Sequence, residues 1–207
     1  MSAAMNETTA APGTAPQTTL IRAADLVASP WKNGGGVTRE VAAYPQGAGL
    51  DTFVWRVSVA DVAQPGPFSR FAGIDRTLVL LSGAGMLLDD ARGHTHALKQ
   101  PLDIARFKGE DAIDARLVDG PTRDFNLMLR RGAAQGEVEV WRGDAERTVS
   151  ADVLLLFCAE GPMEVTSGTA SPVRLGADDT LRIDAAQALR VTLKGSGALL
   201  VIGIRYG

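Results

Sequence analysis

With 207 residues, 45% of them hydrophobic, and a formal net charge of -3, the chain is long enough to bury a core, and no stretch concentrates Lys and Arg. That balance excludes the basic footprint of a nucleic-acid binder and points to a small or protein partner. The single cysteine, Cys158, rules out a disulfide framework within one chain and suits a reducing compartment.

The opening segment, "MSAAMNETTAAPGTAPQTT", holds one Glu, no Lys or Arg and no apolar stretch, so residues 1–18 read as a disordered tail and not as a signal peptide. No later run reaches the length of a membrane span, and the expected location is the cytoplasm. Next comes "SPWKNGGGVTREVA", residues 29–42, where three consecutive glycines break the chain before a strand-like alternation. Glycine is costly to order, so the run implies a bend or a close backbone approach. It has no G-x-G-x-x-G spacing and no Gly-Lys-Ser/Thr, so it is not a phosphate loop. A concave nest of amide donors remains open to it, flanked by Trp31, Lys32 and Asn33, as does a plain tight loop with Lys32 solvated.

Short strands follow. In "FVWRVSVADV", Phe53, Trp55, Val57 and Val59 alternate with Val54, Arg56 and Ser58; if the aromatic face is core, Arg56 and Ser58 look into solvent or a pocket. "GPFSRFAGIDRTLVLLSGAGM" supplies Phe68 and Phe71 as core or lid residues, and a local salt bridge or a turn hydrogen bond is the simplest role for Asp75 and Arg76. In "RDFNLMLRRG", Phe125, Leu127 and Leu129 oppose Asp124, Asn126, Met128 and Arg130. Arg56 and Asn126 on facing strands would make a receptor for a carboxylate or amide, while the alternative is two ordinary solvent faces. Further runs, through "DVLLLF" to "ALLVIGIRY", are again strand-like; "DAAQALR" could make a helical turn or two, yet "ALRVTLK" reads as a strand.

Many short strands without a sustained helical period predict an all-β sandwich or barrel. A weak repeat matches Met86 with Met163, Leu98 with Leu175 and Ile104 with Leu181, the spacing of two copies of a small β-barrel or jelly-roll half. "GHTH", residues 93–96, is the obvious metal lure, but His94 and His96 are the only histidines and no Glu follows closely to complete a site, so no metal and no cofactor is expected. Cys158 lies in an apolar run with no cationic sequence around it to activate a nucleophile.

Taken together, "WKNGGGVTREVA", "WRVSVADV", "GPFSRFAGIDRTLVLLSGAGM" and "DFNLMLRR" resemble the HutD/Ves family in content and order across about residues 20–131. Beyond residue 131 the likeness rests on strand pattern. The resemblance implies an all-β cupin-like double-stranded β-helix (jelly-roll) fold in a duplicated bicupin arrangement, with one barrel over 19–131 and a second barrel half over 132–207 packed as one unit. It implies a regulatory or small-molecule-binding role linked to bacterial histidine utilisation, with no established catalysis. Carried onto this chain it suggests a pocket of Trp31, Lys32, Asn33, Arg39, Arg56, Ser58 and Asn126 for a small anionic metabolite. The competing expectation is an isomerase or hydrolase using Glu40 or Asp75 as general base, with Arg56 holding an acidic substrate. A pure protein-interaction module is a third, and a homodimer through a sheet edge is compatible with each.

Overall fold

Alternation of apolar and polar residues, broken by glycine and proline, makes strands the dominant structure of the described residues. The computed structural model describes residues 16–207. In chain order the strands are β1 (Gln17–Ile21), β2 (Ala28–Pro30), β3 (Gly36–Tyr44), β4 (Trp55–Val62), β5 (Gly66–Pro67), β6 (Ile74–Ser82), β7 (Met86–Asp90), β8 (Thr95–Leu98) and β9 (Ile104–Lys108). They continue with β10 (Ile113–Leu117), β11 (Thr122–Arg130), β12 (Ala134–Arg142), β13 (Ala145–Glu160), β14 (Met163–Ser167), β15 (Val173–Leu175), β16 (Thr180–Lys194) and β17 (Ala198–Tyr206). A single turn of 3-10 helix at Ala23–Asp25 is the one helical element among the described residues. "DAAQALR" is part of β16, which carries its irregularity as left-handed backbone at Ala185 and Ala188.

Two sheets form the N-terminal half, one ordered β2-β3-β4-β11-β6-β9 and the other β5-β10-β7-β8. Between them lies an apolar cluster of Ala60, Val62, Leu78, Leu80, Met86, Leu88, Leu98, Ala105, Ile113 and Ala115. The C-terminal half is one curled sheet, β12-β17-β13-β16-β14-β15, wrapped around its own core of Leu154, Leu156, Cys158, Met163, Leu181, Leu199 and their neighbours. A further cluster joins the halves: Trp55, Val57, Val59, Val79, Phe125 and Leu127 on one side, and Val153, Leu155, Phe157, Leu200, Ile202 and Ile204 on the other. The middle of the six-stranded sheet is therefore buried on both faces, and its central strands β4, β11 and β6 show near-continuous burial.

Pairing follows one plan in both halves. β4-β11-β6-β9 corresponds to β12-β17-β13-β16, and the hairpin β7-β8 to β14-β15. Met86 faces Leu98 in the first hairpin as Met163 faces Leu175 in the second, at the places the repeat marks. The third match is out of step: Ile104 pairs with Val79 beside the inter-half cluster, whereas Leu181 pairs with Leu156 inside the C-terminal half, where Ala105 is its positional counterpart. A connection one residue shorter in the C-terminal half is enough to invert the face.

The first described strand does not pair within the N-terminal half. The tail expected over 1–18 lies outside the described residues as far as residue 15, but Gln17 and Thr18 already belong to β1, which pairs with Asp184 and Ile183 of β16 in the C-terminal sheet. Ladder hydrogen bonds to an otherwise open edge order this segment despite its polar composition.

Candidate site inside the N-terminal half

Strand period and register decide which side chains meet. Three rows cross the inner face of the six-stranded sheet. The first holds Arg56, Met128, Arg76 and Phe107; the second Glu40, Ser58, Asn126 and Leu78; the third Thr38, Ala60, Asp124 and Leu80. Directly opposed residues share a face, so two guanidiniums, the hydroxyls of Ser58 and Thr38, a carboxamide and the carboxyl of Asp124 converge on a face that is otherwise apolar, with the Glu40 carboxylate at its exposed rim. Ser58 and Asp124 are each 2% exposed and Arg76 7%.

Arg56 is the hinge of the group. Its Nε donates to Glu40 Oε2 at 2.7 Å and its Nη1 to Ser58 Oγ at 3.1 Å. Glu40 opposes Ser58 in register with Thr38 and Arg39, and a bulge at Val41 shifts the remainder of β3 by one residue so that Ala42 faces Val57. Arg76 is caged: the rings of Phe68 and Phe107 each lie 5.1 Å from its guanidinium carbon, that of Phe71 at 5.8 Å, and its Nη1 donates to the Ser69 carbonyl at 3.4 Å. Burial pulls its pKa down to about 10, against the attraction of Asp124 and with the help of Arg56. Burial likewise pushes Asp124 up to about 7, with Arg76 opposing and Asp61 adding to the rise.

Several of these polar atoms lack a hydrogen-bond partner: Arg76 Nε, Asp124 Oδ2 and Asn126 Oδ1, with Thr122 Oγ1 further along β11. Buried donors and acceptors are nearly always paired, so a group of orphans on one face calls for a molecule to satisfy them. The corresponding rows of the C-terminal half show what a structural interior looks like here. There Leu154 faces Gly203, Leu156 faces Val201 and Cys158 faces Leu199, all without charge, and burial pushes the Cys158 thiol up to about 11.

The remaining expected residues fall elsewhere. Trp31 closes the far end of the same interior, packing on its apolar cluster and donating from Nε1 to Thr38 Oγ1 at 2.7 Å. Lys32 and Asn33 are exposed on the loop. The loop spends its own donors: Gly34 N–H goes to the Trp31 carbonyl and Gly35 N–H to Asn33 Oδ1 at 3.0 Å. Gly34 is needed for a φ of 71°, and a Cβ on Gly36 would come within 2.5 Å of the Asp61 carbonyl oxygen. These glycines serve a turn and a close strand crossing. Arg39 sits on the opposite face of the sheet, ion-paired to Asp61, while Arg123 links Asp61 to Asp178 of the C-terminal half. Asp75 is held by Arg131, which also binds Glu110, and Arg76 donates to the Ser69 carbonyl, so Asp75 has its salt bridge with a distant arginine and not a local one. Glu40 is engaged by Arg56. The structure thus brings Arg56, Ser58, Asn126 and Glu40 together and separates them from Lys32, Asn33, Arg39 and Asp75.

Arg76 and Asp124 are the members that sequence reasoning passed over. The period of "IDRTLVLLS" places Arg76 with Leu78 and Leu80, a core face, and that was the available signal. In "GHTH", His94 Nδ1 lies 3.2 Å from Asp90 Oδ2 in an exposed turn, and His96 lies against Phe107. Among the described residues no group of three or more His, Cys, Asp or Glu is placed to hold a metal ion. A surface groove of about 620 Å³ runs past His96, Arg106 and Lys108 and touches the polar interior at Arg76.

An all-β chain with this strand plan is a protein of cupin-like fold, shared at 10% identity with 2-hydroxyethylphosphonate dioxygenase at a TM-score of 0.67 over 94% of this chain and 80% of that one. The HutD family model matches residues 23–201, and the chain belongs to the HutD/Ves family. It is 39% identical over 169 residues to an uncharacterized 21.2 kDa protein in the hutC 3' region of Pseudomonas putida, covering 81% of this chain and 87% of that protein. Protein Ves of Escherichia fergusonii is 37% identical over 57% of this chain and 59% of its own length. Among solved structures, the conserved protein of unknown function PA5104 from Pseudomonas aeruginosa PAO1 superposes with a TM-score of 0.84 at 31% identity, covering 91% of this chain and 99% of that one. HutD from Pseudomonas fluorescens SBW25 gives 0.82 at 32%, covering 92% and 100%.

Proposed function

We propose that this protein binds a small carboxylate metabolite inside its N-terminal half and, through that binding, moderates histidine utilisation in the bacterial cytoplasm. The observation that carries this reading is the contrast between two interiors built on one strand plan. One holds Arg56, Arg76, Ser58, Asn126 and Asp124 with orphaned atoms, and the other is filled with Leu, Val and Cys. Two guanidiniums beside a hydroxyl and a carboxamide supply the planar donor forks and single donors that a carboxylate accepts. The shared plan further supports a bicupin origin, two copies of one barrel, of which the first kept a ligand interior. The link to histidine utilisation rests on family membership and on the hutC neighbourhood in the name of the Pseudomonas putida relative.

The test is a thermal-shift and calorimetric comparison of histidine, urocanate, formiminoglutamate, formylglutamate, glutamate and formate, on the unmodified protein and on Arg56→Ala. A ligand at one hundred times its Kd adds about 2.7 kcal/mol to stability. Removing Arg56, one side of a charge-assisted contact, should weaken the binding acid about thirtyfold or more. Absence of any shift with all six acids would overturn the reading.

A further inference from the structure

Among the described residues, Asp124 is the fully buried acidic side chain of the polar interior and no cation binds it directly: Glu40 is taken by Arg56, whereas Asp124 Oδ2 has no hydrogen-bond partner. It stands one row inward from Ser58 and Asn126 and two rows inward from Arg56 and Arg76. Successive residues on one face of a strand are about 7 Å apart, so an acid whose carboxylate is held by the first two rows presents its other end to Asp124.

The groups facing Asp124 are few. Its own strand offers Thr122 and Asn126, β4 offers Arg56 and Ser58, β6 offers Arg76, and β3 offers Thr38 and Glu40. Asp61 acts on it from β4. From the opposite sheet Met86, Leu88, Leu98, Ile113, Ala115 and Leu117 pack into this core, and two titratable groups share their face nearer the rim: His96, opposed to Leu88 and lying against Phe107, and Asp90, opposed to Ile113. An ionised Asp124 beside the oxygen of a bound anion would set two negative charges against each other in a medium that screens them poorly. A protonated Asp124 would instead donate a hydrogen bond to that oxygen and satisfy its own orphaned atom.

We propose that Asp124 is a ligand-binding residue that works as a neutral acid, so that near and above neutral pH the site takes up a proton together with its anion. This rests on the ligand reading given above and narrows it: the ligand carries a carboxylate at one end and a second acceptor oxygen, of a carboxylate or carbonyl, at the other. Burial, which already makes Asp124 hard to ionise, favours the same state.

Glutarate is the probe, because both its carboxyl groups are ionised throughout the range from pH 6 to 8. The expected result is about a tenfold rise in Kd between pH 6 and pH 8. Calorimetry at pH 7.5 in phosphate and in Tris should show heats that differ by the buffers' ionisation heats, the sign of proton uptake. Asp124→Asn, which keeps a donor without a titrating group, should bind glutarate with a Kd that does not change with pH. Binding that is flat with pH in the unmodified protein overturns the inference while leaving the ligand reading intact. So does an unchanged pH slope in Asp124→Asn, which would move the titration to another group such as His96. Failure of glutarate and of all six acids to bind at any pH overturns both.

Discussion

Asp124 also shapes the stability of the unliganded protein. In the unfolded chain it titrates as an ordinary carboxyl near pH 4, whereas in the fold it holds its proton up to about 7. Between those values the folded state binds more protons than the unfolded state, so stability falls as pH rises from about 4 to about 7 and then levels off. The direction is opposite to that of a salt-bridged carboxylate. Asp124→Asn should therefore be more stable than the parent at pH 8 by roughly 2–4 kcal/mol, and by much less at pH 4.5. Urea unfolding at the two pH values measures this, and equal differences at both would contradict the raised ionisation. How this residue escaped the sequence is instructive. Asp124 could be placed with Asn126 by strand period, but whether that face met solvent or core was open, because the other face of β11, with Phe125 and Leu127, already satisfied the expectation of one buried side. A sheet buried on both faces removes that asymmetry. Arg76 was hidden for a related reason: its aromatic cage draws Phe68, Phe71 and Phe107 from separate segments, and a local pair with Asp75 was the simpler reading.

Among the elements, the first described strand has the least expected role. Past β1 the chain is pinned by Asp179, whose carboxylate accepts from the Ala23 N–H at 2.9 Å, the Gly176 N–H at 3.0 Å and Arg22 Nη1 at 2.7 Å. Burial alone would raise its pKa, but these donors outweigh it and hold Asp179 below the ordinary carboxylate range. Here the linkage has the usual sign. The stabilisation is present above the unfolded pKa near 4 and is lost as pH falls through the lower folded value. Asp179→Ala should cost about 1–3 kcal/mol at pH 7, with Arg22 half in solvent and contributing the lesser share. The cost should shrink below about pH 4, and amide hydrogen exchange should quicken in β1, Gln17–Ile21, before it does in its partner β16. Protection of β1 unchanged by the substitution would mean that ladder pairing alone holds it. The strands themselves were legible because alternation and turn residues are local signals. The crossing of β1 to the other half was not, since its pattern of exposed and half-buried residues names no partner.

At the scale of the molecule, the question is whether two halves with separate cores unfold separately. Inner faces alone would allow it, but Trp55, Val57, Phe125 and Leu127 pack across the divide on Leu155, Phe157, Leu200 and Ile202. The rings of Phe125 and Phe157 lie 4.9 Å apart at 54°, a tilted pair at the meeting of the two sheets. The same strands carry the ligand rows on their reverse faces, β4 with Arg56 and Ser58, β11 with Asn126 and Asp124. The interface therefore presses on the backbone that positions the site. Phe157→Ala removes a fully buried ring and should cost about 3–5 kcal/mol. Because a shared core couples the halves, the loss should shift one transition without splitting it. Trp31 reports the N-terminal half, Trp141 the C-terminal half and Trp55 the divide itself, so urea unfolding of Trp141→Phe, which leaves the first and last of these reporters, and of Trp31→Phe, which leaves the other two, followed by fluorescence and by circular dichroism, tests the coupling. Coincident midpoints within each protein would make the halves one folding unit, with ligand in the first stabilising both. Separate midpoints would mean that the C-terminal half stands alone, and that a bound acid protects only the sheet it touches.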